Sequence, residues 1–186
     1  MPPFIYINGY PGVGKFTVAK EVCKLLPNAK VINNHLLINP AAAVFDRTDE
    51  EYQPLRKALR SALLHSIATA KSTHDVAWIF TDQQSSSILG SSVAREYQNA
   101  ALVRESPFFS IILHCEVEEN LKRAVSGNRG STGSNTKLTD INILRGIRER
   151  EDIFHFGDAN ELELDVTELS PIEAAIKIHE HFGKAL

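Results

Sequence analysis

GYPGVGKFT, residues 9–17, follows the apolar run Phe4-Ile5-Tyr6-Ile7 and opens a segment of helical period. Gly9, Gly12, Gly14 and Lys15 satisfy the spacing GxxxxGK between a strand and a helix, the setting in which that pattern wraps a phosphate. Glycines are required there because backbone N–H groups must turn inward around phosphate oxygens, in conformations that a Cβ obstructs. The helix starting at Lys15 adds the positive end of its dipole, and the Lys15 ammonium would neutralise β- and γ-phosphate oxygens. The expected nucleotide contacts run through Gly9, Gly12, Val13, Gly14, Lys15, Phe16 and Thr17. Phe16 stands where a metal-holding Ser or Thr usually follows the Lys, and the hydroxyl comes one residue later, at Thr17.

Outward from this loop, short apolar runs alternate with helix-period segments, the pattern of a parallel sheet covered on both faces by helices. Five strands are expected, at Phe4 to Asn8, Lys30 to Asn33, Val76 to Phe80, Ser110 to His114 and Leu162 to Val166. Lys15 to Leu26 reads as the first crossover helix, with Pro27 stopping it. Thr48-Asp49-Glu50-Glu51 reads as a capping box before a helix to about Ala70 that buries Tyr52, Leu55, Leu59, Leu63 and Ile67. Ser170-Pro171-Ile172-Glu173 repeats that logic, ahead of a stripe formed by Ile172, Ala175, Ile176, His179 and Phe182. Residues 126–139, SGNRGSTGSNTKLT, lack any apolar period and are expected to form a mobile, functional loop. No internal repeat or linker divides the chain, so residues 1–186 are read as one domain.

The composition is that of an ordinary globular protein, 43% hydrophobic and 23% charged, and no run reaches the ~20 apolar residues of a membrane span. The N-terminus lacks the features of a secretory signal, so a cytosolic location is expected. Cys23 and Cys115 sit in apolar patterns and are expected to be reduced core residues. The seven His residues form no metal-ligand spacing, and a net charge of -3 argues against nucleic acid as the main partner.

The loop GYPGVGKFT resembles the GxPGxGKxT loop of adenylate kinase and related small-molecule kinases, where a residue without a hydroxyl follows the Lys and Thr comes next. That resemblance, to nucleoside monophosphate kinase-like P-loop kinases, implies a three-layer α/β P-loop fold with a lid, ATP as cofactor and Mg²⁺ held mostly through water. Thr17 would then contact the α-phosphate region or a metal-bound water, and Phe16 would pack on the helix. The stretch Val76 to Asp82, VAWIFTD, looks like the third strand with its acid, so Asp82 would orient a metal-bound water or accept the substrate proton. A cap or turn residue is the competing reading of Asp82. The run from Cys115 to Gly130 resembles the helix entering the lid. Seven basic side chains against two acidic ones lie between Lys122 and Arg150, and Arg123 and Arg129 are the expected transition-state cations. A solvated helical face is the alternative for that cluster. Asp165, Val166 and Thr167 occupy the position of the loop that packs on adenine.

After the second strand, Asn33-Asn34-His35 departs from the pattern, since Asn34 stands where many such kinases place an Asp that activates the acceptor hydroxyl. Asn34 can position a hydroxyl, whereas neutral His35 could take its proton, with an ordinary pKa near 6.5. A helix-start role for His35 is equally open. Asp46-Arg47 and Gln83-Gln84 could line the same cleft, and no motif names the acceptor. The expected activity is transfer of the γ-phosphoryl group of ATP to a small hydroxyl- or phosphate-bearing acceptor. The alternative is a nucleotide-binding regulator or slow nucleoside triphosphatase without an acceptor.

Overall fold

The computed structural model describes residues 1–125 and 140–183. Five parallel strands, β1 (Phe4–Gly9), β2 (Ala29–Asn33), β3 (Ala77–Thr81), β4 (Phe108–His114) and β5 (Glu161–Asp165), form one sheet in the order β2-β3-β1-β4-β5. The described helices are α1 (Lys15–Leu25), α2 (His35–Ala42), α3 (Tyr52–Thr69), α4 (Ile88–Val103), α5 (Val117–Val125), α6 (Ile141–Arg150) and α7 (Pro171–Gly183). All five expected strands are present to within two residues at each end.

Strand β1 explains why the sheet needs two helical layers. Phe4 and Tyr6 point into a cluster with Leu64 and Ile67 of α3 and Val93 and Tyr97 of α4. Ile5 and Ile7 point the other way, against Val18 and Val22 of α1 and Ile178 and Phe182 of α7. A strand covered on both faces has no solvent-facing positions, which is why it reads as a continuous apolar run rather than an alternation. None of the described helices is long and apolar enough to cross a membrane. Both cysteines are free thiols, Cys115 buried and Cys23 half-buried.

Two helix starts and two helix faces were read from the same kind of pattern, with different outcomes. At α7 the capping box forms: the Ser170 amide donates to Glu173 Oε2 at 2.9 Å and the Glu173 amide to Ser170 Oγ at 3.2 Å. Its buried face, however, is Ala174, Ala175, Ile178 and Phe182, while Ile172 and Ile176 are exposed. Small side chains at 174 and 175 let α7 press closely on α1, and that contact selects the face. At α3 the Thr48 box does not form. The N-cap is Glu51 without a side-chain bond, and a turn in which Asp49 Oδ2 accepts the Asp46 amide at 2.7 Å leads into the helix. The inner face of α3 is Tyr52, Arg60, Leu64, Ile67 and Ala68, one step round from the expected row, because a charged residue occupies an inward position.

Candidate active site

Strand order reverses around β1, so the loop after Gly9 lies at the carboxyl ends of the strands where open α/β sheets bind ligands. Gly12 has φ +89°, and a Cβ there would sit 2.8 Å from Asn120 Nδ2, so the loop passes too close to α5 for any side chain. Gly14, at φ 104°, is the N-cap of α1 and leaves that helix end without a side-chain cap. Val13 is buried and pins the loop to the core. Lys15 Nζ folds back on the loop, donating to Gly9 O at 2.6 Å and Tyr10 O at 2.8 Å. Buried Asn8 fixes the loop's root: its Oδ1 accepts from the Gly9 and Gln84 amides at 3.0 and 2.8 Å, and its Nδ2 donates to Gln84 O at 2.9 Å.

Two adjoining cavities open here. The first, about 680 Å³, is lined by residues 11–18 of the loop and α1, with Lys20, Arg123, Val166, Leu169 and Pro171 among the remaining walls. Phe16, the second residue of α1, lies on the surface of that helix. It is 39% exposed, faces this cavity and carries Lys20 Nζ 5.1 Å from its ring centroid. Thr17 is exposed on the same wall. Beyond β5, Val166 reaches the cavity, whereas Asp165 and Thr167 build the turn beneath it. Asp165 Oδ1 accepts from Thr167 Oγ1 at 2.6 Å and from the Thr167 amide at 2.8 Å, and Thr167 Oγ1 accepts the Glu116 amide at 2.9 Å. Those two donors hold the Asp165 carboxyl below the ordinary aspartate range. Arg123 braces the same turn, donating to Val166 O at 3.0 Å and Thr167 O at 2.8 Å, with Nε on Glu119 at 2.8 Å. Arg129 and the segment 126–139 lie outside the described residues.

The second cavity, about 510 Å³, shares Pro11, Lys15, Asn33, His35 and Thr81 with the first. Asp82 lies on its wall at the end of β3, only 2% exposed. Its Oδ1 accepts from Asn34 Nδ2 and from the Gln83 amide at 2.8 Å, and its Oδ2 accepts Gln84 Nε2 at 2.9 Å. It caps no helix, since Ser87 Oγ accepts the Gly90 amide as the cap of α4. His35 is the first residue of α2, with its amide on Asn33 Oδ1 at 3.2 Å, and it borders both cavities. Arg47, Gln83 and Gln84 line the second cavity, whereas Asp46 is not among its walls.

Arg56, Arg60 and Asn120 escaped the sequence reading, and the place of Arg148 was not foreseen. Tyr52, Arg56, Arg60 and Leu64 step by four along α3 and share one face. Arg56 and Arg60 line the second cavity, and a basic pair at that spacing between apolar residues is the signal that would have found them. Arg60, 5% exposed, is neutralised by Glu96 through two bonds of 2.7 and 3.1 Å. Asn120 is fully buried, donating from Nδ2 to Pro11 O at 3.0 Å and accepting Arg148 Nη1 at 2.8 Å. Arg148, counted only within the basic cluster, stacks 4.6 Å from the Tyr10 ring centroid and so ties α6 to the phosphate loop.

Among the described residues no group of three or more His, Cys, Asp and Glu side chains could hold a metal ion, and Asp82 is the only buried acid. A lone carboxylate beside the glycine loop is a donor set that suits only an ion such as Mg²⁺, which keeps waters and takes ligand oxygens for the rest of its shell.

The chain is similar across nearly its whole length to solved kinase structures. A putative kinase from Chloroflexus aurantiacus superposes with a TM-score of 0.67 at 14% identity, covering 100% of this chain and 98% of that one. The APS kinase of Mycobacterium tuberculosis, solved with AMPPNP and APS, gives 0.62 at 15% identity with 98% of each chain covered. A gluconokinase from Sinorhizobium meliloti gives 0.61 at 15% identity, covering 99% and 93%. No family model matches the chain, and no curated protein matches its sequence. The likeness shows the fold, a three-layer α/β arrangement of a five-stranded parallel sheet and flanking helices that matches a P-loop NTPase architecture, and it does not single out the adenylate kinase subtype expected from the loop.

Proposed function

We propose that this chain transfers the γ-phosphoryl group of ATP to a hydroxyl of a small acceptor. The observation that carries the reading is the pair of adjoining cavities, joined at Lys15 and His35, with a phosphate loop in one and a buried carboxylate on the wall of the other. ATP occupies the first, its triphosphate along Gly9 to Thr17 and its base toward Val166, Leu169 and Pro171. Lys15 leaves the Gly9 and Tyr10 carbonyls for the β- and γ-phosphate oxygens, assisted by the N-terminal end of α1.

The acceptor occupies the second cavity with a hydroxyl at Asp82. The hydroxyl oxygen bonds to the γ-phosphorus, the bond from that phosphorus to the β–γ bridging oxygen breaks, ADP leaves with the electron pair, and the proton passes to Asp82. Asn34 supplies positioning, holding the Asp82 carboxylate through Oδ1. His35, at the junction of the cavities, orients the transferring group. Arg129 is the cation proposed for the charge that spreads over the phosphoryl oxygens, while Arg123 holds the turn against the base. Mg²⁺, where bound with the nucleotide, would supply charge neutralisation, with Thr17 as the residue that would hold it through water. Positioning and charge neutralisation suffice for a loose transition state.

Equilibrium binding of a nonhydrolysable ATP analogue to the wild type and to Lys15→Ala tests the nucleotide half. The variant is expected to bind at least about tenfold more weakly, from the loss of charge-assisted hydrogen bonds. Equal affinity would remove the loop from the account.

A further inference from the structure

The second cavity is more cationic than a neutral alcohol requires. Lys15, Arg47, Arg56 and Arg60 line it, and Asp82 and Glu151 are the acids on its walls. Arg60 is neutralised by Glu96, but Arg56 is not matched in this way. One of its terminal nitrogens reaches Asn34 Oδ1 at a long 3.4 Å, its guanidinium carbon lies 5.8 Å from the Tyr52 ring centroid, and its Nε is buried with no hydrogen-bond partner. A buried N–H of a cation without an acceptor is costly, and a ligand oxyanion at the cavity-lining guanidinium, which holds only the long bond to Asn34, would draw the side chain into a better-paired position. Asn34 touches both Arg56 and Asp82, so an anion at Arg56 and a hydroxyl at Asp82 belong to one small molecule. The other polar walls include Gln53, Gln83 and Ser87, which are donors and acceptors for hydroxyls. Tyr52, 2% exposed beneath Arg56, offers no open face on which a nucleobase would stack.

We propose that the acceptor is a small polyhydroxylated oxyanion, a hydroxy acid or a polyol phosphate rather than a nucleotide, with its carboxylate or phosphate held by Arg56. This rests on the reading of the second cavity as the acceptor site. The test is calorimetric titration of the AMPPNP-loaded chain with D-glycerate, glycerol 3-phosphate, glycerol and AMP, in the wild type, Arg56→Gln and Arg56→Lys. At least one of the two anions should bind about 10- to 100-fold tighter than glycerol, as expected for hydrogen bonds to a charged group. The stronger of the two identifies the carboxylate or the phosphate as the recognised group. Arg56→Gln should lower that affinity to the glycerol level and leave AMPPNP binding unchanged, with Arg56→Lys in between because it cannot present a fork. Anions no tighter than glycerol, or an advantage that survives both substitutions, would overturn the proposal. AMP as the tightest ligand would also overturn it and assign a nucleotide. If AMPPNP fails to bind the wild type, the phosphotransferase reading falls, and the same titrations on the nucleotide-free chain still decide whether Arg56 holds an anion.

Discussion

Lys15 borders both cavities, whereas Asp82 borders only the second, and this asymmetry separates their roles in substitution experiments. Asp82→Asn keeps the shape of the side chain and removes the base, so kcat should fall by about 10² to 10⁴ while the affinity for ATP stays nearly constant. His35→Gln should cost less than Asp82→Asn in kcat; the reverse order in steady-state kinetics would make His35 the base and Asp82 a structural acid. The glycine loop after β1 was legible because the positive φ values of Gly9, Gly12 and Gly14 are demanded by geometry that shows directly in spacing. Arg56 and Arg60 were not, because a pattern reading assigns charged residues to water, and only their partners reveal why they turn inward. Phe16, expected both on the helix surface and among the nucleotide contacts, lines the first cavity.

Single elements carry predictions about stability. Ser170 caps α7 reciprocally with Glu173, so Ser170→Ala should lower unfolding free energy by about 0.5–2 kcal/mol in chemical denaturation. At the end of β5, Thr167 depresses the Asp165 pKa, and a carboxyl depressed in the folded state stabilises the fold above the ordinary aspartate value of about 3.9. That contribution disappears as pH falls through the lower native value. Thr167→Val removes the hydroxyl donor to Asp165 and the acceptor of the Glu116 amide, so an NMR titration should find the Asp165 pKa higher than in the wild type. An unchanged value would mean that the backbone amide alone sets it. Strand positions were legible to within two residues because strands buried on both faces stand out as apolar runs. Helix faces were harder. The inner face of α7 is set by small residues that admit α1, and that of α3 by an arginine paired with Glu96, neither of which a hydropathy period records.

At the scale of the whole molecule, the site exists because strand order brings distant segments to one edge of the sheet. Asn8, Asn34, Asp82 and Gln84, from three parts of the chain, meet through a hydrogen-bonded set at the carboxyl ends of β1, β2 and β3. The alternation of strands and helices announced the fold class, but the order β2-β3-β1-β4-β5 and the division into two cavities depend on pairings that no local stretch encodes. In the proposed reading, the second cavity is the feature that favours a phosphotransferase over a regulator that only binds or slowly hydrolyses nucleotide. The most direct test follows the radioactive γ-phosphorus of ATP in the presence of hydroxy acids, polyol phosphates, neutral polyols and nucleotides. The label should move to an acceptor in step with ADP formation, and Asp82→Asn should abolish the transfer while ATP still binds. Label recovered only as inorganic phosphate with every acceptor, at a rate that Asp82→Asn does not change, would contradict the assignment.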